Sequence, residues 1–261
     1  MPEPDPVLLA VDAGNTEIAI GLFEGDRRIE TWRVATRAGE TSDEWRVKLA
    51  GLLDLDGRRP PTWAVLASVV PHLTRTIAEA LARVCGGDPL VVSHLTTGPV
   101  TLAVDRPEEV GADRIANAAA AWTRYRGPAV VVDLGTATNL DCVDGEGRYV
   151  GGVIAPGILV SAEELMRRAA RLFRVELEPP SRAVGRTTAE CLQSGIVWGA
   201  VAQIDGLVAR VLAETGSGAR VVATGGLAAR IGPLCRTVEE VEPHLTLDGL
   251  RLIWASERKG R

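Results

Sequence analysis

The strongest constraint on this chain is a construction that it contains twice. Val7-Leu-Leu-Ala-Val11 is an apolar run of strand length. Asp12-Ala-Gly14-Asn15-Thr16 is a polar turn, Ile18 to Phe23 is a second apolar run, and Glu24-Gly25-Asp26 is a hairpin signal. The same order returns with Ala129-Val-Val-Val132 as the strand and Asp133-Leu-Gly135-Thr136-Ala-Thr138 as the turn. Another short apolar run follows, and Asp144-Gly-Glu-Gly147 closes it. One Asp-x-Gly-Thr turn is common turn chemistry. Two in matched settings indicate an internal duplication of a large unit rather than a short-period solenoid. Each glycine lets backbone N–H groups approach a ligand, and each aspartate can hold a counter-cation. The expectation is that two such turns grip a polyphosphate from two sides of a cleft.

The rest of the chain alternates strand and helix, which predicts an α/β fold. Thr41-Ser42-Asp43-Glu44 reads as a helix start with a capping box, and residues 56–61 as a loop. Trp63 to Val70 is a buried strand stopped by Pro71. A helix from Leu73 to Val84 and a strand at 90–92 follow. A long alanine-rich helix is expected to open at Glu108 and run to about Tyr125. Gly127-Pro128 breaks the chain, so the expected domains are 1–127 and 128–261. Beyond it, Gly151 to Gly157 reads as a tight glycine-rich loop and Ser161 to Phe173 as a helix. Another helix is expected from Thr188 to Leu212, and its Gly195 and Gly199 are read as close-packing positions. Arg220 to Gly226 reads as a last strand with a phosphate-type turn, and residues 245–256 as a final helix.

Composition excludes several classes. Net charge is −5, and no basic stripe with interleaved aromatics occurs, so nucleic acid is not an expected partner. The spacing of Arg167, Arg168, Arg171 and Arg174 fits either a solvated helix face or a surface that meets an anion. Cys85, Cys142, Cys191 and Cys235 are scattered and read as reduced, and His72, His94 and His244 lack metal-site spacing. No apolar run is read as long enough to cross a membrane and no leader is read at the N-terminus, so the expected location is cytoplasmic.

A third feature is Gly111-Ala112-Asp113-Arg114 at a helix start. There a carboxylate can accept a hydroxyl proton and a guanidinium can fork onto a substrate carboxylate. The plainer reading is an aspartate favoured by the helix dipole with a surface arginine beside it.

Taken in order, Asp12-x-Gly14-Asn15-Thr16, Gly111-Ala-Asp113-Arg114, Asp133-x-Gly135-Thr136-Ala-Thr138 and Gly151-Gly152-x-Ile154-x-Pro156-Gly157 resemble the type III pantothenate kinase family. Ala67-Ser-Val-Val-Pro71, Gly185-Arg-Thr-Thr188 and Thr224-Gly225-Gly226-Leu-Ala228 extend the resemblance over nearly the whole chain. It implies duplicated actin-like (ribonuclease H-like) α/β domains with an interdomain nucleotide cleft, and a last helix that packs back on the first domain. The implied activity is ATP-dependent phosphorylation of pantothenate, the opening step of coenzyme A synthesis. The resemblance places ATP on Asp12, Ala13, Gly14, Asn15, Thr16 and Thr136, with Mg²⁺ near Asp12. It places pantothenate on Gly111, Ala112, Asp113, Arg114 and Thr188, with Asp113 as general base. It places a monovalent cation, K⁺ or NH₄⁺, on Asp133, and implies a homodimer with the substrate site near its interface. Two departures stand out: Val104 where the family often has an aromatic residue, and Glu17 beside the first turn. A non-catalytic, nucleotide-binding transcription-accessory protein of the same fold is the alternative.

Overall fold

In the computed structural model, which describes residues 5–54, 59–168, 175–216 and 218–259, the first repeat is an antiparallel meander. It consists of β1 (Val7–Ala13), β2 (Glu17–Glu24) and β3 (Arg27–Ala35). Helix α1 (Ser42–Asp54) opens on the expected capping box. Thr41 Oγ1 accepts from Glu44 N–H, and Glu44 Oε2 accepts from Thr41 N–H at 2.7 Å. Strand β4 (Trp63–Ser68) leads to α2 (Pro71–Cys85), in which Pro71 occupies the first turn, where its missing N–H costs nothing. Gly86 then ends α2 in the left-handed conformation, φ 75°. Two short strands follow, β5 (Leu90–Val91) and β6 (Thr101–Leu102).

The helix expected to open at Glu108 is interrupted. Pro107–Glu109 forms a 3₁₀ turn, Val110 is extended, and only then does α3 (Ala112–Tyr125) begin. Sequence periodicity does not detect that break. It leaves Gly111 at the cap, with its carbonyl accepting from Ile115 N–H at 3.1 Å.

The second repeat consists of β7 (Ala129–Leu134), β8 (Ala137–Val143) and β9 (Arg148–Pro156). The stretch 151–156, expected as a loop, is therefore strand. Gly151, at φ 116°, sits where the β8–β9 register shifts, so the glycines supply a bulge and not a turn. Then come α4 (Ile158–Arg168), α5 (Thr188–Thr215), β10 (Arg220–Thr224), α6 (Ala228–Ile231), β11 (Glu240–Val241) and α7 (Leu245–Lys259). Strand β10 is thus not the last one. The expected helical residues beyond Arg168 and the start of the 56–61 loop lie outside the described residues.

The chain divides into two compact units, Met1–Arg124 with Leu245–Arg261, and Tyr125–His244. In the first, the strand order is β3-β2-β1-β4-β5; in the second, its strands run β11-β10-β7-β8-β9. Read from the third meander strand inward, the two orders match strand for strand, with both outer strands parallel to the first meander strand. The duplication is thus one of topology as well as of motif.

One face of the first sheet buries Val11, Ala13, Ile18, Ile20 and Leu22 against α1 and α2. The other receives α7, where Leu247 covers Gly21. Helix α7 also lies on α3: Gly249 touches the Ala116 backbone, and Thr246 Oγ1 donates to Asn117 Oδ1 at 2.8 Å.

In the second unit, α5 supplies Val197, Val201, Ile204 and Val208 to a core with Val130, Val132, Leu140 and Ala223. Contrary to the reading of short apolar runs, α5 is long and apolar enough to cross a membrane by length and composition. A core helix of a folded domain passes the same test. Here the helix carries Asp205, which stitches it to the 235–237 loop by accepting from Thr237 N–H at 3.0 Å, Thr237 Oγ1 at 2.7 Å and Arg236 N–H at 3.2 Å. Burial pushes the Asp205 carboxyl up, but those bonds outweigh it and hold it below its ordinary 3.8. A depressed carboxyl stabilises the fold above its unfolded value, and that contribution is lost as pH falls through the folded one. Asp205→Ala is therefore expected to cost about 2–3 kcal/mol at neutral pH, with the gap in melting temperature from the parent narrowing in acid.

Gly195 and Gly199 do not pack closely. A Cβ on either would meet nothing within 4 Å, and both line an open groove of about 390 Å³ between α4 and α5.

Candidate active site

Asp12 stands near the end of β1, opposite Ala19 on β2 and level with Ala67 on β4. Both of those neighbours along the row carry only a methyl side chain. Ala13, one residue on, turns its side chain into the core, so only its backbone is available to a ligand. Residues 14–17 then turn the chain: Gly14 N–H donates to Glu17 O at 3.1 Å, while Asn15 and Thr16 are exposed. Thr36 ties β3 to this turn through Oγ1 to Gly14 O, 2.7 Å, and N–H to Thr16 O, 3.0 Å. Glu17 points sideways and accepts a hydrogen bond from Arg33, which answers the charge conflict raised by its place next to the turn.

Asp133 repeats the arrangement at the end of β7, opposite Asn139 on β8 and level with Thr224 on β10. The second turn, residues 135–137, is one residue shorter than the first, and Thr136 at its apex is exposed. Two glycines shape it. A Cβ on Gly157 would lie 2.0 Å from Thr136 O, and one on Gly225 would lie 2.5 Å from Asp133 Oδ1. Gly225 is at φ 92°, so the turn after β10 closes against the Asp133 carboxylate and the Leu134 backbone, where any side chain would overlap.

Asp113 is in the first turn of α3. Its Oδ1 accepts from Arg114 N–H at 2.8 Å, satisfying a helix-terminal donor. Burial pushes the carboxyl above its ordinary 3.8, and the Arg114 N–H and guanidinium offset only part of that rise. Gly111 makes the pose possible, because a Cβ there would lie 2.5 Å from Asp113 Oδ1. Ala112 is buried and Val104 is half-buried.

Thr188 is exposed at the start of α5. The cap itself is Thr187, whose hydroxyl accepts from Glu190 N–H at 3.2 Å. Of the basic cluster, Arg167 and Arg168 both bond Glu164, the pattern of a solvated helix end, while Arg171 and Arg174 lie outside the described residues. All four cysteines are free thiols. Among the described residues no three acidic, histidine or cysteine side chains gather as a metal cluster.

Sequence reading did not single out Ala19 or Arg33, which share the row of Asp12, and took Ala67 only as the start of a family motif. Strand alternation holds that signal, but only once the register is known.

A meander of three antiparallel strands extended by two parallel ones, present twice with an acid at the end of each first strand, is the duplicated actin-like fold. A ROK hexokinase from Thermus thermophilus has the same fold, with a TM-score of 0.55 and 16% identity over 98% of this chain and 100% of that one. So does a ROK family glucokinase from Streptomyces griseus, solved in complex with glucose and AMPPNP, with a TM-score of 0.54 and 11% identity over 97% and 99%.

Sequence comparison narrows the class. The family profile described as type III pantothenate kinase matches residues 8–210. The type III pantothenate kinase of Moorella thermoacetica is 44% identical over 250 residues, 95% of this chain and 98% of that one. That of Acidothermus cellulolyticus is 46% identical over 251 residues, with the same coverage. The chain belongs to the type III pantothenate kinase family.

Proposed function

We infer that this chain transfers the γ-phosphoryl group of ATP to the primary hydroxyl of pantothenate, giving 4′-phosphopantothenate at the opening step of coenzyme A synthesis. The observation that carries the reading is Asp113, set in an intact Gly-Ala-Asp-Arg helix start within a family match that spans most of the chain. A carboxylate lifted above its ordinary value is a better proton acceptor than a solvated aspartate. It takes the hydroxyl proton as the oxygen bonds to phosphorus and the bond to the ADP oxygen breaks. Arg114 beside it suits the pantothenate carboxylate, and Gly111, Ala112 and Thr188 complete the proposed substrate contacts. The turn residues Asp12, Ala13, Gly14, Asn15 and Thr16, together with Thr136, take the nucleotide.

Phosphoryl transfer depends on positioning and charge neutralisation. Mg²⁺ needs only one or two protein carboxylates besides phosphate oxygens and water, so the single Asp12 flanked by alanines fits it without a metal cluster. The Asp133 carboxylate, which the family resemblance marks for a monovalent cation, is the group assigned to K⁺ or NH₄⁺. These cations supply positive charge to the triphosphate when bound. A homodimer is supported by the exposed apolar side chains Leu159, Val160 and Leu165 of α4, the last of which lines the groove with the glycines of α5. A cytoplasmic location accords with free thiols and a metabolic substrate. With Asp12, Asp113 and Asp133 all in place, the transcription-accessory alternative is not favoured.

The deciding assay supplies pantothenate, ATP and Mg²⁺ with either K⁺ or Na⁺. Phosphopantothenate formation that falls at least about tenfold in Na⁺, a change of roughly 1.4 kcal/mol, is the expected result. Equal rates in the two salts would remove the cation role of Asp133, and absence of product in both would remove the substrate assignment.

A further inference from the structure

We propose that Arg33 is a phosphate-contacting residue of the nucleotide site and that Glu17 is the side chain that aims it. The proposal rests on the nucleotide role of the first turn. It begins with register: Asp12 on β1 is opposite Ala19 on β2, and Ala19 is opposite Arg33 on β3. Directly opposed residues of an antiparallel ladder present their side chains on one face of the sheet. The opposite face is settled independently, because Val11, Ala13, Ile18, Ile20 and Val34 all lie in or against the α1–α2 core. Asp12, Ala19 and Arg33 therefore share the face away from that core.

Two strand spacings, roughly 10 Å, separate the backbones of Asp12 and Arg33, and only the methyl of Ala19 stands between their side chains. An arginine can lie over an alanine in that position; a lysine or a bulky neighbour would not give the same planar reach. Glu17 is on the same face, two residues from Ala19, and its carboxylate accepts from Arg33 Nη1. Both partners are partly exposed, with side-chain exposures of 39% for Arg33 and 47% for Glu17, so the pair is within reach of solutes. Thr36 bonds the end of β3 to the 14–16 backbone, so Arg33 and the turn are parts of one framed unit.

Three other cations of this unit have carboxylate partners of their own. Arg28 pairs with Asp248, Lys48 with Glu40, and Arg83 with Asp43. The chain also lacks a Walker-type lysine motif, so an arginine on the Asp12 row is the residue placed to meet phosphate oxygens bidentately. The pair also explains how Glu17 is tolerated: its charge is neutralised by the residue it orients. Removing Arg33 would both delete a donor and leave a bare carboxylate beside the anion.

The test is calorimetric binding of ATP with Mg²⁺, and separately of adenosine, to the full chain and to Arg33→Gln, Arg33→Lys and the double variant Arg33→Gln/Glu17→Gln. Loss of a charge-assisted contact predicts ATP affinity lower by about ten- to a hundredfold in Arg33→Gln. Arg33→Lys should recover part of it, the double variant should bind ATP better than Arg33→Gln, and adenosine should bind all four proteins alike. ATP binding unchanged in Arg33→Gln, or ATP and adenosine weakened equally, would overturn the proposal. If Arg33→Gln fails to fold, Arg33→Lys decides: weakened ATP with unchanged adenosine supports the contact, and no change in either overturns it. A parent chain that binds ATP but does not phosphorylate pantothenate would sink the substrate assignment and leave the Arg33 result standing.

Discussion

Asp113→Asn is expected to lower turnover about 10²–10⁴-fold, the usual worth of a positioned general base, while ATP affinity and the fold stay close to the parent's. Asparagine preserves the shape and can still accept from Arg114 N–H, so the loss isolates proton transfer. The sign on stability runs the other way. Burial raises the Asp113 carboxyl above its ordinary 3.8, so the folded state binds protons more tightly than the unfolded one. Stability associated with this group is full below 3.8 and falls as pH rises through the folded value. At neutral pH the neutral amide should therefore melt at the same temperature as the parent or slightly higher. Steady-state kinetics and thermal unfolding on one preparation check both halves. Near-parental turnover in Asp113→Asn would remove the base role, and a large fall in melting temperature would assign the residue to the fold instead. In the parent, catalytic efficiency should rise with pH through an apparent value above that of an ordinary aspartate and then level off.

Gly249→Ala is expected to destabilise the first unit by about 3 kcal/mol or more, the upper range for overpacking, or roughly 10 °C in melting temperature for a chain of this size. The added Cβ would lie 1.9 Å from Ala116 O and 2.6 Å from its carbonyl carbon. These are backbone atoms of a helix, so no rotamer change relieves the overlap; α7 and α3 must separate. Helix α3 bears Asp113 one turn before Ala116, so activity should fall with stability. Gly195→Ala and Gly199→Ala make the informative contrast. They are also glycines within a helix, but open space surrounds them, so alanine should help the helix by up to about 1 kcal/mol. If those two variants instead weaken self-association, measured by light scattering against concentration, the groove they line is the surface between subunits.

Much of this was readable before any coordinates. The α/β class, the strand–turn–strand repeat, the α1 capping box and the three aspartates all follow from local patterns, because each is set within about ten residues of chain. Glycine was where reading failed, in both directions. Residues 151–156 have a loop's composition and form a strand, because one glycine serves as a bulge against a partner strand. Gly195 and Gly199 resemble packing positions and face space, while Gly249, which no pattern flagged, is held against another helix. A glycine states only that something forbids or dispenses with a side chain, and the neighbour that decides which is distant in sequence.

What the sequence by itself determined is the family and the candidate chemistry: which acids, in which turns, in which order. Local hydrogen bonding and alternation of apolar residues are enough to write those into a chain. Tertiary structure alone decided the register that lines up Arg33, Ala19, Asp12 and Ala67, the seating of Gly249 against Ala116 and the cover Gly225 places over Asp133. Each of these depends on pairing or close approach between segments far apart along the chain, where a shift of one residue would turn every side chain to the opposite face.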